Sequence, residues 1–298
     1  METFEADCVV VGAGAVGLAC ARALARLGRD VLVLEAASAI ATETSSRNSE
    51  VVHAGIHYAP GSLKAELCVA GRRALYEFCR RRNVEAHRCG KLIVAVDGKE
   101  AEALDALYAQ GLANGVEGLT RIDGREARRL EPALSGQIQA AIHSEESGLF
   151  DSHGYFLALL GELEDQGGSL ALETPVVRGR VRAEGGVELE TGGASPARIG
   201  ARLVVNAAGH RALELARLIE GGPIYPHLKM HWAKGNYFIA SGRAAFARLI
   251  YPMHSRASVG LHLTVDLGGR TRLGPDVEWL DDNAGPPFNY QVDPARAQ

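Results

Sequence analysis

The chain has 298 residues, 47% of them hydrophobic, and a formal net charge of −4. That is enough apolar chain for a large core in one complex domain or two interleaved ones, and the acidic balance excludes the basic footprint of a nucleic-acid binder. The five cysteines (Cys8, Cys20, Cys68, Cys79 and Cys89) are odd in number and lack CxxC spacing, which argues against a disulfide framework or zinc site and for a reducing cytoplasm.

The opening "CVVVGAGAVGLACARALARLG" is apolar enough to imitate an export signal. Its glycine spacing, the acidic Glu2, Glu5 and Asp7 before it, and Arg22 and Arg26 within it speak against one. No unbroken apolar run reaches the ~18 residues of a membrane span, so membrane association, if any, is peripheral. Residues 8–11 read as a buried strand, a glycine turn follows, and 15–27 read as an alanine-rich helix closed by Gly28. Residues 31–35 supply a second strand, completing a β-turn-α-β unit. Ser62 caps a second helix to about residue 82, with Leu63, Leu67, Ala70, Ala74 and Phe78 on one face. The basic cluster of Arg80, Arg81 and Arg82 then falls at the helix end that favours cations.

The pattern then changes. A strand at 91–96, helices at 99–114 and 123–130, and a strand at 137–143 suggest a separate, partly antiparallel region. Helix 155–166 follows, then strands at 170–172, 176–182 and 187–190, the buried strand of "ARLVVNAAGH", and a helix at 212–219. From Gly235 onward strand patterns return in "GNYFIA", "ARLIYPM", "GLHLTVDLGG" and "RTRLGPDVEW". The fold class is therefore α/β, a Rossmann-like nucleotide-binding domain (1–85 and 151–222) interleaved with a mixed or antiparallel-sheet substrate domain (86–150 and 223–280). Residues 281–298 read as loop.

Gly12, Gly14 and Gly17 form a full GxGxxG directly after a strand and at the start of a helix. The three glycines serve the tight turn, close approach to a pyrophosphate and close helix-strand packing, and the helix N-terminus offers unpaired N–H groups to phosphate. Glu35, ending the second strand, can accept hydrogen bonds from both ribose hydroxyls, and its charge disfavours a 2′-phosphate. A dedicated NAD domain would continue with β-α units. This chain instead departs into "ETSSRNSEVVHAGIHY" and returns to the sheet at Ala207, Ala208 and Gly209, where small residues let backbone pass close to a nucleotide. FAD is the better reading.

The stretches "TSSRNSEVVHAGIHYAPGSLKAELCVAG", "CGKLIVA", "GLFDSHGY", "LVVNAAGH", "KGNYF", "LIYPM" and "GLHLTVDLGGRTRLGPDVEW" resemble the L-2-hydroxyglutarate dehydrogenase group of the D-amino-acid-oxidase-like (DAO) FAD proteins over essentially the whole chain. The resemblance implies flavin-linked oxidation of a 2-hydroxy acid to a 2-oxo acid, with electrons passed onward to an acceptor such as a quinone or electron-transfer protein. It also implies a further glycine-rich turn and final helix that complete the flavin site and are absent from these 298 residues; the loop-like terminus suggests that the sequence stops short of the natural end.

Within this frame Ser45, Ser46 and Asn48 supply donors near the pyrophosphate and ribityl chain. Gly55 lets backbone approach the flavin ring. Ala15, Val16, Val52 and Val177 complete the expected cofactor contacts. His53 is the candidate base for the substrate hydroxyl, because an imidazole with an ordinary pKa near ~6.5 suits proton removal at neutral pH; the alternative is a hydrogen-bonded histidine that merely lines the flavin. His262 is placed near the substrate by the resemblance, against a solvent-facing position on its strand. Tyr58 either binds a substrate carboxylate or packs. A dicarboxylate needs cationic anchors, and Lys64, Lys234, Arg256, Arg270 and Arg272 are the candidates, Lys64 being equally at home on a solvated helix face.

The four-residue spacings His53/His57 and His227/His231 lack the helix and glutamate of a zinc motif. Neither GxSxG nor a Walker motif occurs. The rival functions are an amine or amino-acid oxidase of the same fold and a non-catalytic dinucleotide-binding redox sensor.

Overall fold

The computed structural model of the chain describes residues 1–253, 262–281 and 284–297. They form two compact units: Met1–Asn48, Ser152–Met230 and Gly285–Pro287 in one, and Ser49–Asp151, His231–Ala284 and Phe288–Gln298 in the other. The first crossing thus falls at Asn48, not near residue 85. The reason is pairing that local pattern does not show: Val51–Val52 joins Gly148–Phe150 in a small sheet, and Val69 of the following helix belongs to the core beneath it. The later crossing falls after Met230 instead of at residue 222.

The first unit carries a seven-stranded sheet. Its centre is the strand Glu2–Val11, which pairs in parallel with Ala197–Asn206 on one side and Val31–Leu34 on the other. Cys8, Val9, Val10 and Val11 are all buried, as an apolar run covered on both faces requires. Ser169–Ala171 extends the parallel part beyond Val31–Leu34. The antiparallel pair Val176–Val181 and Val187–Thr191 extends the other side. The alanine-rich helix Ala15–Arg26 buries Gly17, Leu18, Ala21 and Ala25, and Arg22 pairs with Glu162 of the helix Ser152–Asp165.

The second unit holds a mixed seven-stranded sheet. Lys91–Ala95 lies inside it, parallel to Leu249–Pro252 and antiparallel to Ala140–Ser144. The strands Leu263–Val265, Thr271–Leu273 and Phe238–Ile239 continue from Leu249–Pro252. A two-stranded ribbon joins Ala233–Lys234 to Glu278–Trp279.

The helix Leu63–Arg82 begins as expected. The Ser62 hydroxyl accepts the Ala65 N–H at 3.2 Å, and Asn83 closes the helix in the left-handed conformation. Its buried face differs from the expected one. Ala65, Val69, Arg72, Tyr76 and Cys79 turn inward together with Phe78, whereas Leu63 and Leu67 are 69% and 59% exposed. Both stripes have helical spacing; tertiary packing selects the one with a small and a β-branched residue at the contact with the 53–58 loop.

Candidate active site

Two groups of residues carry the chemistry, one in each unit. In the first unit, Gly12 has φ +105°, a region L side chains avoid, and a Cβ there would lie 2.5 Å from the Ala207 carbonyl oxygen. A Cβ on Gly17 would stand 1.8 Å from the Gly12 carbonyl oxygen. The loop is therefore closed onto both the helix and the returning strand, as the motif predicts. The Ala207 N–H donates to the Val11 carbonyl at 2.9 Å, bringing Ala207 and Ala208 beside the glycine turn, and Gly209 opens the next turn. Gly14 is the N-cap of Ala15–Arg26 without a side-chain cap, so the first-turn N–H groups at Val16 and Gly17 face the place where phosphate belongs.

Glu35 and Ser45 brace this loop. One Glu35 oxygen accepts the Ala13 N–H at 2.7 Å and the other accepts the Ala37 N–H at 2.9 Å; each retains a lone pair for a ribose hydroxyl. Ser45 Oγ accepts the Ala15 N–H at 2.9 Å. Ser46 and Asn48 behave differently from expectation. Ser46 Oγ donates to the Thr42 and Glu43 carbonyls, and Asn48 Nδ2 donates to the Ser45 carbonyl at 2.6 Å. Their side chains shape the Thr44–Ser46 turn, a local competition usual for Ser and Asn. Val177 is half exposed on its strand. The glycine cradle, helix N-terminus and ribose carboxylate fit the adenine-nucleotide end of FAD.

The second unit holds a small, open cleft lined by His53, Ala54, Gly55, Ile56, His57, Tyr58 and Lys91. Val52 points into the core. Gly55 has φ +104°, and a Cβ on it would lie 2.9 Å from Val69 Cγ2, so the helix beneath the loop already demands glycine there. Asn114 Nδ2 holds the loop by donating to the Gly55 and Tyr58 carbonyls, each at 2.9 Å.

His53 keeps solvent-accessible surface although protein crowds its ring, the situation of a side chain lining a concave wall. Desolvation, then the nearby Lys91, His57, His262 and Lys64, push its imidazole down to about 3. The ring is thus held in the neutral form, with a lower proton affinity than the ordinary imidazole value that the sequence reading assumed. Lys64 Nζ lies 4.7 Å from the centroid of the Tyr58 ring, so the Tyr58 face is taken by a cation. His262 stacks on Tyr251 at 3.6 Å with the rings 5° from parallel; it is half-buried, and Thr264, two residues on, is buried.

Lys91 is the group that sequence reading missed, because it stands at the start of an apolar strand and looks like a boundary residue. It is 1% exposed, and burial pushes its ammonium down to about 7. Its Nζ sits 3.9 Å from the Tyr251 ring centroid. A lysine opening a strand that is central to the sheet was the available signal.

The other anchors are engaged elsewhere. Lys234 donates to the Gln291 carbonyl at 2.8 Å and pairs with Glu278 at 3.5 Å, and it does not line the cleft. Arg270 pairs with the buried Asp266 at 2.9 Å, and Arg272 lies 3.6 Å from Asp266 and 3.7 Å from Glu50. Arg256 lies outside the described residues.

The family model of FAD dependent oxidoreductases (DAO) matches residues 7–298. An L-2-hydroxyglutarate dehydrogenase of Arabidopsis thaliana, named mitochondrial, is 41% identical over 98% of this chain and 67% of its own length. One from Pongo abelii, also named mitochondrial, is 34% identical over 98% of this chain and 72% of its own. The chain therefore spans about two thirds of the length of these relatives. Among solved structures, the L-alpha-glycerophosphate oxidase of Mycoplasma pneumoniae with FAD bound superposes with a TM-score of 0.82 at 25% identity, over 95% of this chain and 73% of that one. The glycine cradle and the match along nearly the whole chain together place it: the chain belongs to the DAO family of FAD-dependent oxidoreductases, in the L-2-hydroxyglutarate dehydrogenase group.

Proposed function

We propose that this FAD-dependent dehydrogenase oxidises L-2-hydroxyglutarate to the 2-oxo dicarboxylate. The observation that carries the reading is the charge of the cleft. Lys91, Lys64, His57 and His262 all act on His53, and among the described residues no carboxylate appears among the groups that act on His53 or Lys91. Such a site attracts a dianion. It disfavours the ammonium form in which an amine or amino acid arrives, which sets the amine-oxidase reading below this one.

Bound FAD supplies the two-electron oxidant for the substrate C2–H bond. Gly12, Gly14, the N–H groups of Val16 and Gly17, Glu35, Ser45 and Ala207 to Gly209 would hold its nucleotide end. His53, already neutral, accepts the hydroxyl proton as the carbonyl forms. The imidazolium so produced stands among other cations, and its solvent-accessible face lets the proton leave. Tyr58, Lys64 and His262 complete the substrate surroundings in this reading.

All five cysteines are free thiols, in keeping with a reducing compartment. The cytoplasmic address is held only as part of this proposal, since the relatives above are named mitochondrial. Among the described residues no helix is long and apolar enough to cross a membrane. A quinone or an electron-transfer protein is the proposed final electron acceptor.

The test is the absorbance spectrum of the FAD-loaded protein before and after anaerobic addition of L-2-hydroxyglutarate, with D-amino acids, sarcosine and glycerol 3-phosphate as controls. Bleaching of the flavin by the hydroxy acid and not by the controls is expected. Bleaching by an amine alone would transfer the chain to the amine oxidases.

A further inference from the structure

Lys91 is a buried amine, and among the described residues no carboxylate acts on it. Its stem is enclosed by a sheet in which it pairs with Ser144 on one side and Leu249 on the other, yet the residue also lines the cleft. One direction of its ammonium is taken by the Tyr251 ring at 3.9 Å. His262 lies 3.6 Å from the same ring centroid, so the two groups must occupy opposite faces of Tyr251. The aromatic ring thereby separates two basic groups and supports the ammonium without neutralising it. The thiols nearest to Lys91 provide no anion either, because burial pushes both Cys68 and Cys89 up.

A buried amine stays charged only when an anion pairs with it, and otherwise tends to the neutral form. Lys91 lines the cleft, so an anion can approach it from there. We infer that Lys91 receives a carboxylate of the substrate and takes up a proton as it does so. This rests on the dicarboxylate reading above and names the residue that would implement it.

The proton balance follows from the neighbours. In the free cleft, Lys91 titrates near 7, so near neutrality much of it is the neutral amine; an arriving carboxylate stabilises the ammonium, and one proton passes from solvent to Nζ. The facing groups are His53, His57 and Tyr58 on the cleft loop, Lys64 and Cys68 on the long helix, Cys89 ahead of the strand, Tyr251 beside it and His262 across the ring. On the Ala140–Ser144 strand the residue opposite Lys91 is Ser144, while His143 answers to Arg248, Glu145 and Glu126. Burial brings the titration of Lys91 close to neutral pH.

The experiment titrates glutarate, which lacks the oxidisable hydroxyl, into the FAD-loaded protein by calorimetry. Phosphate and Tris buffers differ in ionisation heat, so comparing them counts protons. At about pH 7.5 we expect uptake of a large part of one proton per glutarate, shrinking toward zero near about pH 6, where Lys91 is already charged. Lys91→Met should weaken glutarate binding by about tenfold or more, the scale of a lost charged hydrogen bond, and abolish the uptake. Lys91→Arg should bind glutarate without uptake, since a guanidinium stays charged. Binding and uptake unchanged in Lys91→Met would overturn the inference, as would wild-type binding with no buffer dependence. Wild type that binds glutarate with uptake but keeps its flavin oxidised in L-2-hydroxyglutarate would sink the substrate reading and leave Lys91 its role. No glutarate binding by wild type at all would remove both.

Discussion

His53 and Lys91 share a cleft and one physical cause, desolvation, acting on two cations. For His53 the consequence is a neutral imidazole at any working pH. Replacing it by Gln should therefore lower kcat by about 10²–10⁴-fold, the range of a positioned general base, while leaving the flavin spectrum in place. Full activity in His53→Gln would return the residue to a lining role. For Lys91 the consequence reaches stability. Its folded value, about 7, lies below the ordinary 10.5, so between those limits the unfolded chain binds a proton that the folded chain does not. Stability then rises with pH across that window, and below it the full cost of burying the ammonium is present. Without substrate, Lys91→Met should be more stable than wild type by on the order of a few kcal/mol at pH 6. The difference should fade toward pH 10. Thermal midpoints measured at both pH values check this, and an offset that does not change with pH would refute it.

At the scale of elements, position is set by a few tight contacts. The long helix starts at Ser62, whose hydroxyl accepts the Ala65 N–H and donates to the Ala59 carbonyl at 2.6 Å. Ser62→Ala should cost about 1 kcal/mol in urea unfolding, as lost N-caps do. Because Val69 of that helix presses on Gly55, the same change should also raise the KM for substrate. The glycine turn is more demanding. In Gly17→Ala the new methyl would meet the Gly12 carbonyl at 1.8 Å, so the turn must open, and flavin retained after purification should fall sharply. Retention of a full complement of flavin would show that the cradle tolerates displacement. The turn's role was legible from spacing alone. Which helix face packs was not, because Leu63 and Leu67 match the helical period as well as Ala65 and Val69 do; only the partner surface distinguishes them.

For the whole molecule, cofactor and fold are linked by mass action. FAD bound to the native state adds about 2.7 kcal/mol of stability at a hundredfold excess over Kd, so adding FAD to the apoprotein should raise its thermal midpoint, and Gly17→Ala should blunt that rise. An unmoved midpoint in wild type would mean that the 298-residue chain does not hold the cofactor by itself. Interleaving explains why the unit boundaries were the least legible feature. A chain that leaves one sheet and returns to it carries no compositional mark at the crossing, and Asn48 became the boundary through the pairing of Val51 with Leu149, nearly a hundred residues away.

The sequence by itself determined the parallel β-α-β opening, the nucleotide turn, the FAD assignment and the importance of the 53–58 loop. These are readable because glycine geometry and apolar periodicity act over a few residues. The tertiary structure alone decided that Lys91 is buried, that Tyr251 stands between it and His262, and that Lys234, Arg270 and Arg272 are already paired. Charge at a site is a sum over neighbours brought together from distant segments, and a single chain order does not display that sum.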